Sequence, residues 1–162
     1  MILTTDGSSG SGAGGWAYVL RDGEQVTEGS GYVRDMPKVN VMELVAVREG
    51  LRAVPRDDED IQVVTDSVNV IGWLYGWNVV TKKPDPAKRF KRDSWEVINV
   101  LADIEELVEA RRLRLHFVHV RGHTGHEDNE RCDKLAVAAR KEVVDKSRAA
   151  RRRVRLDKRP SP

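Results

Sequence analysis

The sequence predicts one α/β domain, and three observations carry that prediction. Short β-branched and apolar runs separated by glycine turns open the chain. Beyond residue 40, apolar residues recur every three or four positions, and these helical stretches alternate with short strand-like runs. A length of 162 residues with 40% apolar content suits one core.

Composition narrows the function classes. No apolar run approaches the roughly twenty residues that span a membrane. The N-terminus lacks the basic, apolar and cleavage pattern of a secretion signal. The single cysteine cannot form an internal disulfide, so a reducing compartment, the cytoplasm, is expected. The net charge of +2 is uneven: residues 146–162 carry eight Lys or Arg and one acid, a net of +7, against −5 for the rest. An acidic body with a basic tail suggests an acidic site and a polyanion-binding appendage. We therefore expect a domain over 1–145 and a flexible basic tail over 146–162.

In order, residues 2–5 predict a strand ending at Asp6-Gly7. The glycine- and serine-rich segment 7–15 predicts a loop; without a following Lys-Ser or Lys-Thr it is not a P-loop. Residues 16–21 and 25–34 flank Asp22-Gly23, a strong hairpin signal. Residues 41–54 predict a helix with Val41, Leu44, Val47, Leu51 and Val54 on one face; Asn40 before it, with Glu43 three residues later, resembles a capping box. Residues 61–65 predict a strand, after which Asp66 or Ser67 could cap the next helix. Trp73, Tyr75 and Trp77 precede a basic segment containing Lys82, Lys83, Lys88, Arg89, Lys91 and Arg92. This is either a solvated loop beside core tryptophans or a nucleic-acid surface, with cations for phosphates and indoles for bases. Residues 94–108 predict a helix with Trp95, Ile98, Leu101, Ile104 and Val108 inward, and Arg111 and Arg112 favour its dipole. A strand from Leu113, a glycine-hinged loop around His123 and a last helix capped by Asp128 or Asn129 follow. No internal repeat or second domain is evident.

Residues 119–136 concentrate the chemistry. His119, His123, His126 and Cys132 are zinc-ligand types, but their spacing is not a paired short-loop pattern. Asp133 either complements a helix dipole or joins an acidic site. Asp6 and Asp66 end predicted strands, and Glu43 and Asp133 sit early in helices. Together the four acids lie on segments that converge only at one sheet edge. Carboxylates about 4 Å apart repel by about 4 kcal/mol per pair at an effective dielectric near 20, so such a cluster needs protons or cations. Oxygen-only ligands favour Mg²⁺ or Mn²⁺.

The motifs TDGS at 5–8, GY at 31–32, MEL at 42–44, TDS at 65–67 and GHTGHEDNERCDKLA at 122–136 resemble the ribonuclease H family, type 1, in family order. The resemblance runs from about residue 2 to 144. It implies a five-stranded mixed sheet with helices on both faces, and Mg²⁺-dependent hydrolysis of the RNA strand of an RNA–DNA hybrid to 3′-hydroxyl and 5′-phosphate ends. It implies two Mg²⁺ ions per site, with Mn²⁺ as a substitute: Asp6 bridging them, Asp133 on the water side, Glu43 and Asp66 on the leaving-group side. By the same resemblance Glu43 would also sense a 2′-hydroxyl, and His123 would aid water delivery or product release. Asn40 matches a position that contacts the RNA strand, backbone amides at Gly7 and Ser8 could assist reading of the 2′-hydroxyl, and Arg34, Trp73, Trp77 and Lys91 are candidates for holding the DNA strand. A monomer needing no protein partner and no membrane is expected. The sequence departs from bacterial members in a shorter glycine-rich loop after Asp6, a longer segment before Glu43, Val41 where a basic residue is common, and fewer residues between Trp77 and Trp95. A DNA-cutting nuclease of the same fold, an inactive hybrid-binding module and a zinc structural module are the alternatives.

Overall fold

The computed structural model describes residues 1–157 apart from Met36, Pro37, Asp93 and His123, with side chains described as far as Ala149. The elements run β1 (Ile2–Gly10), β2 (Ala13–Asp22), β3 (Gln25–Arg34), α1 (Val39–Arg52), β4 (Asp60–Thr65), α2 (Val68–Leu74), β5 (Trp77–Asn78), β6 (Lys83–Pro84), α3 (Trp95–Ala110), β7 (Arg114–His119) and α4 (Glu127–Asp157). Five strands form one mixed sheet in the order β3-β2-β1-β4-β7; β5 and β6 pair separately. β1, β2 and β3 are antiparallel, while β4 runs parallel to β1 and to β7. The expected five-stranded α/β arrangement is the one observed.

Helices cover both faces. The larger core places Leu3, Leu20, Ile61 and Val63 of the sheet against Met42, Leu44, Val47 and Leu51 of α1 and Val97, Leu101 and Ile104 of α3. On the other face Ala17 and Val19 meet Cys132 and Ala136 of α4. Burying α1 among sheet and α3 makes it the central helix, with nine buried residues from Val41 to Leu51. Arg111 closes its C-terminal end by donating to the Leu51 and Val54 carbonyls at 3.1 and 2.9 Å. Arg111 is also the C-cap residue of α3, the end at which its charge is expected.

Four local expectations are corrected. The 7–15 segment is not a loop: β1 continues to Gly10, β2 starts at Ala13, and only Ser11-Gly12 turns, both with positive φ, as a two-residue hairpin requires. Trp95 and Ile98 point outward, 73% and 40% exposed, because α3 buries Val97, Val100, Leu101 and Ile104 instead. Lys38 begins α1 without a side-chain cap, so Asn40 and Glu43 form no capping box. In α4, His126 Nδ1 accepts the Asn129 N–H at 3.3 Å, and Asp128 lies inside the helix in a bidentate pair with Arg21 at 2.5 and 2.6 Å. The last helix, α4, runs through to Asp157.

Candidate metal centre

Asp6 sits where β1 loses its parallel neighbour. The β1–β4 pairing ends at Thr4 opposite Val64, while β1 continues beside β2. Asp66 follows the last residue of β4, so the two aspartates flank the crevice beyond the parallel strand ends, the usual ligand position in such sheets. Ser67, not Asp66, caps α2 by accepting the Val70 N–H at 3.4 Å, which leaves the Asp66 carboxylate available. Glu43 enters from α1. Gly7 makes that approach possible, because a Cβ there would overlap the α1 backbone at Met42 and Glu43.

One oxygen from each of Asp6, Glu43 and Asp66 lies within 4.8 Å of the other two. Asp6 and Glu43 are 7% and 8% exposed, and Asp66 is half-buried. Their remaining hydrogen bonds are few. Asp6 Oδ1 accepts the Gly7 N–H at 2.7 Å, Asp66 Oδ2 accepts from Asn129 Nδ2 at 3.4 Å, and Glu43 Oε2 is buried with no partner. Burial, then the negative charge of Asp66, pushes the Asp6 carboxyl up to about 7; Asp133 adds to this and the Gly7 amide opposes it. Glu43 is held well above the usual carboxylate range by burial, then by Asp6 and Asp66. Among the described residues, no side-chain cation offsets either shift.

This donor set fits a hard divalent cation. It offers only oxygens, concentrates negative charge, and includes a buried carboxylate oxygen with nothing to bond. A cation would replace the protons that the cluster otherwise retains. Asp133, half-buried on α4, stands close enough to raise Asp6 but lies outside the tight trio. His123 lies outside the described residues; its neighbour Gly122 approaches so closely that a side chain there would meet Asp66 Oδ2.

The zinc types do not assemble among the described residues. Cys132 is buried and donates to the Thr4 carbonyl at 3.3 Å, with burial raising its thiol far above its usual range. His119 Nε2 faces the Asp66 carbonyl at 3.2 Å, and His126 begins α4.

The substrate candidates are dispersed. Gly7 and Ser8 lie in β1, and the Gly7 N–H already serves Asp6. Asn40 Oδ1 accepts from Asn69 Nδ2 at 3.2 Å, near the start of α1. Arg34 ends the edge strand β3, its guanidinium 5.9 Å from the Tyr32 ring. Lys91 is exposed. Trp73 and Trp77, 7% and 5% exposed, lie inside the fold and offer no free face for stacking. Trp73 Nε1 donates to the Lys91 carbonyl at 3.0 Å, and Trp77 packs edge-on against His119 at 4.9 Å. Asn129, 3% exposed and bonded to Asp66, was missed as a site residue because Asx side chains before a helical run signal a cap.

The chain matches the RNase H family model over residues 1–141. It is 36% identical over 139 residues to a ribonuclease H from Geotalea uraniireducens, covering 82% of this chain and 86% of that protein. The ribonuclease H of Solibacter usitatus is 35% identical over 151 residues, 86% of this chain and 94% of that one. Among solved structures, RNase H1 from the archaeon Halobacterium salinarum superposes with a TM-score of 0.64 at 22% identity, over 85% of this chain and 95% of that chain. LC11-RNase H1, solved in complex with an RNA/DNA hybrid, gives 0.67 at 21% identity over 88% and 98%. The fold, the order of the acids and these matches together place the chain in the ribonuclease H family, as an enzyme of that family.

Proposed function

We propose that this enzyme hydrolyses the RNA strand of RNA–DNA hybrids at the Asp6, Glu43 and Asp66 cluster, leaving 3′-hydroxyl and 5′-phosphate ends. The observation that carries the reading is the trio of carboxylates within 4.8 Å, one with a buried, unbonded oxygen. Two Mg²⁺ ions bound there, or Mn²⁺ in their place, supply an activated water and neutralise charge on the leaving oxygen.

Asp6 would help hold both ions, Asp133 would serve the side that presents the water, and Glu43 and Asp66 would serve the leaving-group side. Asn129 holds Asp66 in orientation through its amide. His123, next in sequence to Gly122, is assigned to water delivery or product release. Discrimination of RNA from DNA requires contact with the 2′-hydroxyl. Since the Gly7 N–H is committed to Asp6, that contact falls to Asn40, Ser8 and Glu43. The DNA strand is assigned to exposed cations, Arg34 and Lys91 among them, rather than to the buried indoles. The basic residues from Lys146 onward add a polyanion-binding element. The enzyme is expected to act in the cytoplasm as a monomer without a protein partner; among the described residues no helix is long and apolar enough to cross a membrane.

The test is cleavage of end-labelled hybrid, double-stranded RNA and double-stranded DNA in Mg²⁺. Only the hybrid should be cut, in its RNA strand. Comparable cutting of double-stranded DNA would replace this reading with that of a DNA nuclease on the same fold.

A further inference from the structure

Helix α4 carries two residues of the crevice, Asn129 bonded to Asp66 and Asp133 near Asp6. Its apolar packing does little to fix it along its own axis. The contact runs through small side chains, with Ala17 facing Cys132 and Ala136. Gly15 lies so close that a Cβ there would overlap the Ala136 carbonyl. Hydrophobic contact is non-directional, so a smooth interface of this kind resists separation more than sliding.

A directional contact stands at the start of the same stripe. Asp128, Cys132 and Ala136 are spaced four apart, so they share the face turned to the sheet. Arg21 shares a face of β2 with Ala17 and Val19, because alternate residues of a strand point the same way. Its Nε and Nη2 donate to both oxygens of Asp128 at 2.5 and 2.6 Å, across 107 positions of sequence. Asp128 is only 9% exposed, yet Arg21 holds its carboxyl below the usual carboxylate range. Next to this pair, Glu28 of β3 takes Arg131 at 2.9 and 2.7 Å, and lies near enough to act on Arg21 as well. Forked guanidinium–carboxylate pairs add geometric specificity to their energy. A buried ion pair contributes little net stability over an apolar replacement, and its clearest use is to fix register.

We infer that Arg21 is a positioning residue for the metal centre: through Asp128 it sets the register of α4 along the sheet, and so the reach of Asn129 to Asp66 and of Asp133 toward Asp6. The inference rests on the reading of the carboxylate cluster as the Mg²⁺ site of a ribonuclease H. Asn129 follows Asp128 directly, and Asp133 stands about 7.5 Å further along the axis, at roughly 1.5 Å per residue. Helical backbone joins all three, so a slip at Asp128 is carried to both. The Asn129–Asp66 bond, at 3.4 Å, is at the long end of hydrogen bonding, and a slip of about 1 Å breaks it.

Calorimetric titration of Mg²⁺ into metal-free protein tests this without substrate, alongside kcat and KM for hybrid cleavage. Arg21→Met/Asp128→Leu replaces the pair by apolar side chains, so thermal melting should stay close to wild type. Its Mg²⁺ affinity should fall by about tenfold, and kcat at limiting Mg²⁺ with it, while KM for hybrid stays unchanged. Asp128→Glu keeps a carboxylate for Arg21 and should recover most of the loss. Arg21→Lys keeps the charge without the fork and should fall in between, which carries the test should the apolar variant fail to fold. Wild-type Mg²⁺ affinity in Arg21→Lys and in the apolar variant, whatever their melting temperatures, or a loss confined to KM, would overturn the positioning role. Wild-type protein that binds Mg²⁺ but fails to cut hybrid would instead sink the ribonuclease reading.

Discussion

Asp6 carries the largest conflict of any residue. Its carboxyl is buried and faces Asp66 and Asp133, with only the Gly7 amide in its favour. Raising its pKa from 3.8 to about 7 means that the folded state keeps a proton which the unfolded chain has lost. This contribution to metal-free stability is therefore complete below about pH 4 and disappears as the pH rises through 7. Glu43 shifts in the same direction for the same reasons. Asp6→Asn removes the titration, so the metal-free variant should melt roughly 10 °C above the wild type at pH 8 while losing that advantage near pH 4. Its hybrid cleavage should fall by at least about a thousandfold, since the variant keeps the shape of Asp6 but not the charge that binds cations. Thermal melts across pH, alongside cleavage rates, check both. Near-normal cleavage by folded Asp6→Asn would refute the site as drawn.

Each element delivers one carboxylate, and close packing sets the delivery. At Gly7 the α1 backbone lies where a Cβ would be, so Gly7→Ala must push away the helix that carries Glu43. Overpacking of this kind costs about 1–3 kcal/mol, and a displacement near 1 Å can cost about a hundredfold in rate. Circular dichroism should still report a folded protein, with cleavage reduced by roughly that factor; wild-type rates would show that α1 tolerates the shift. Most elements were legible in the sequence, because alternation and helical periodicity reflect burial directly, and Asp6, Glu43 and Asp66, which the structure brings together, were among the acids it singled out. Its errors came where one local pattern serves two purposes. Asn40-x-x-Glu43 has capping-box spacing, yet Glu43 turns inward to the crevice. Gly7 to Gly15 has loop composition, yet its glycines mark close approach to neighbouring elements within β1 and β2. The expected α3 stripe holds at Leu101 and Ile104, but in the first turns Val97 and Val100 turn inward in place of Trp95 and Ile98. Asn129 was invisible as a site residue, since its contact with Asp66 spans 63 positions.

Over the whole molecule, the mixed sheet separates two tasks. The α1 and α3 face buries the larger apolar core and holds Glu43. The α4 face is thinner, built on small residues such as Ala17, Cys132 and Ala136, and brings Asp133 toward Asp6. Both faces converge on the crevice beyond β1 and β4, where negative charge accumulates and, among the described residues, no cation balances it. The most direct test is a calorimetric titration of metal-free protein with Mg²⁺ near pH 7, repeated in buffers of different ionisation enthalpy. Wild type should bind Mg²⁺ and release protons as the ions displace them from Asp6 and Glu43, with less release at higher pH; Asp6→Asn should lose most of the binding. Equal binding by the two proteins, or binding by wild type without proton release, would contradict the carboxylate cluster as the metal centre.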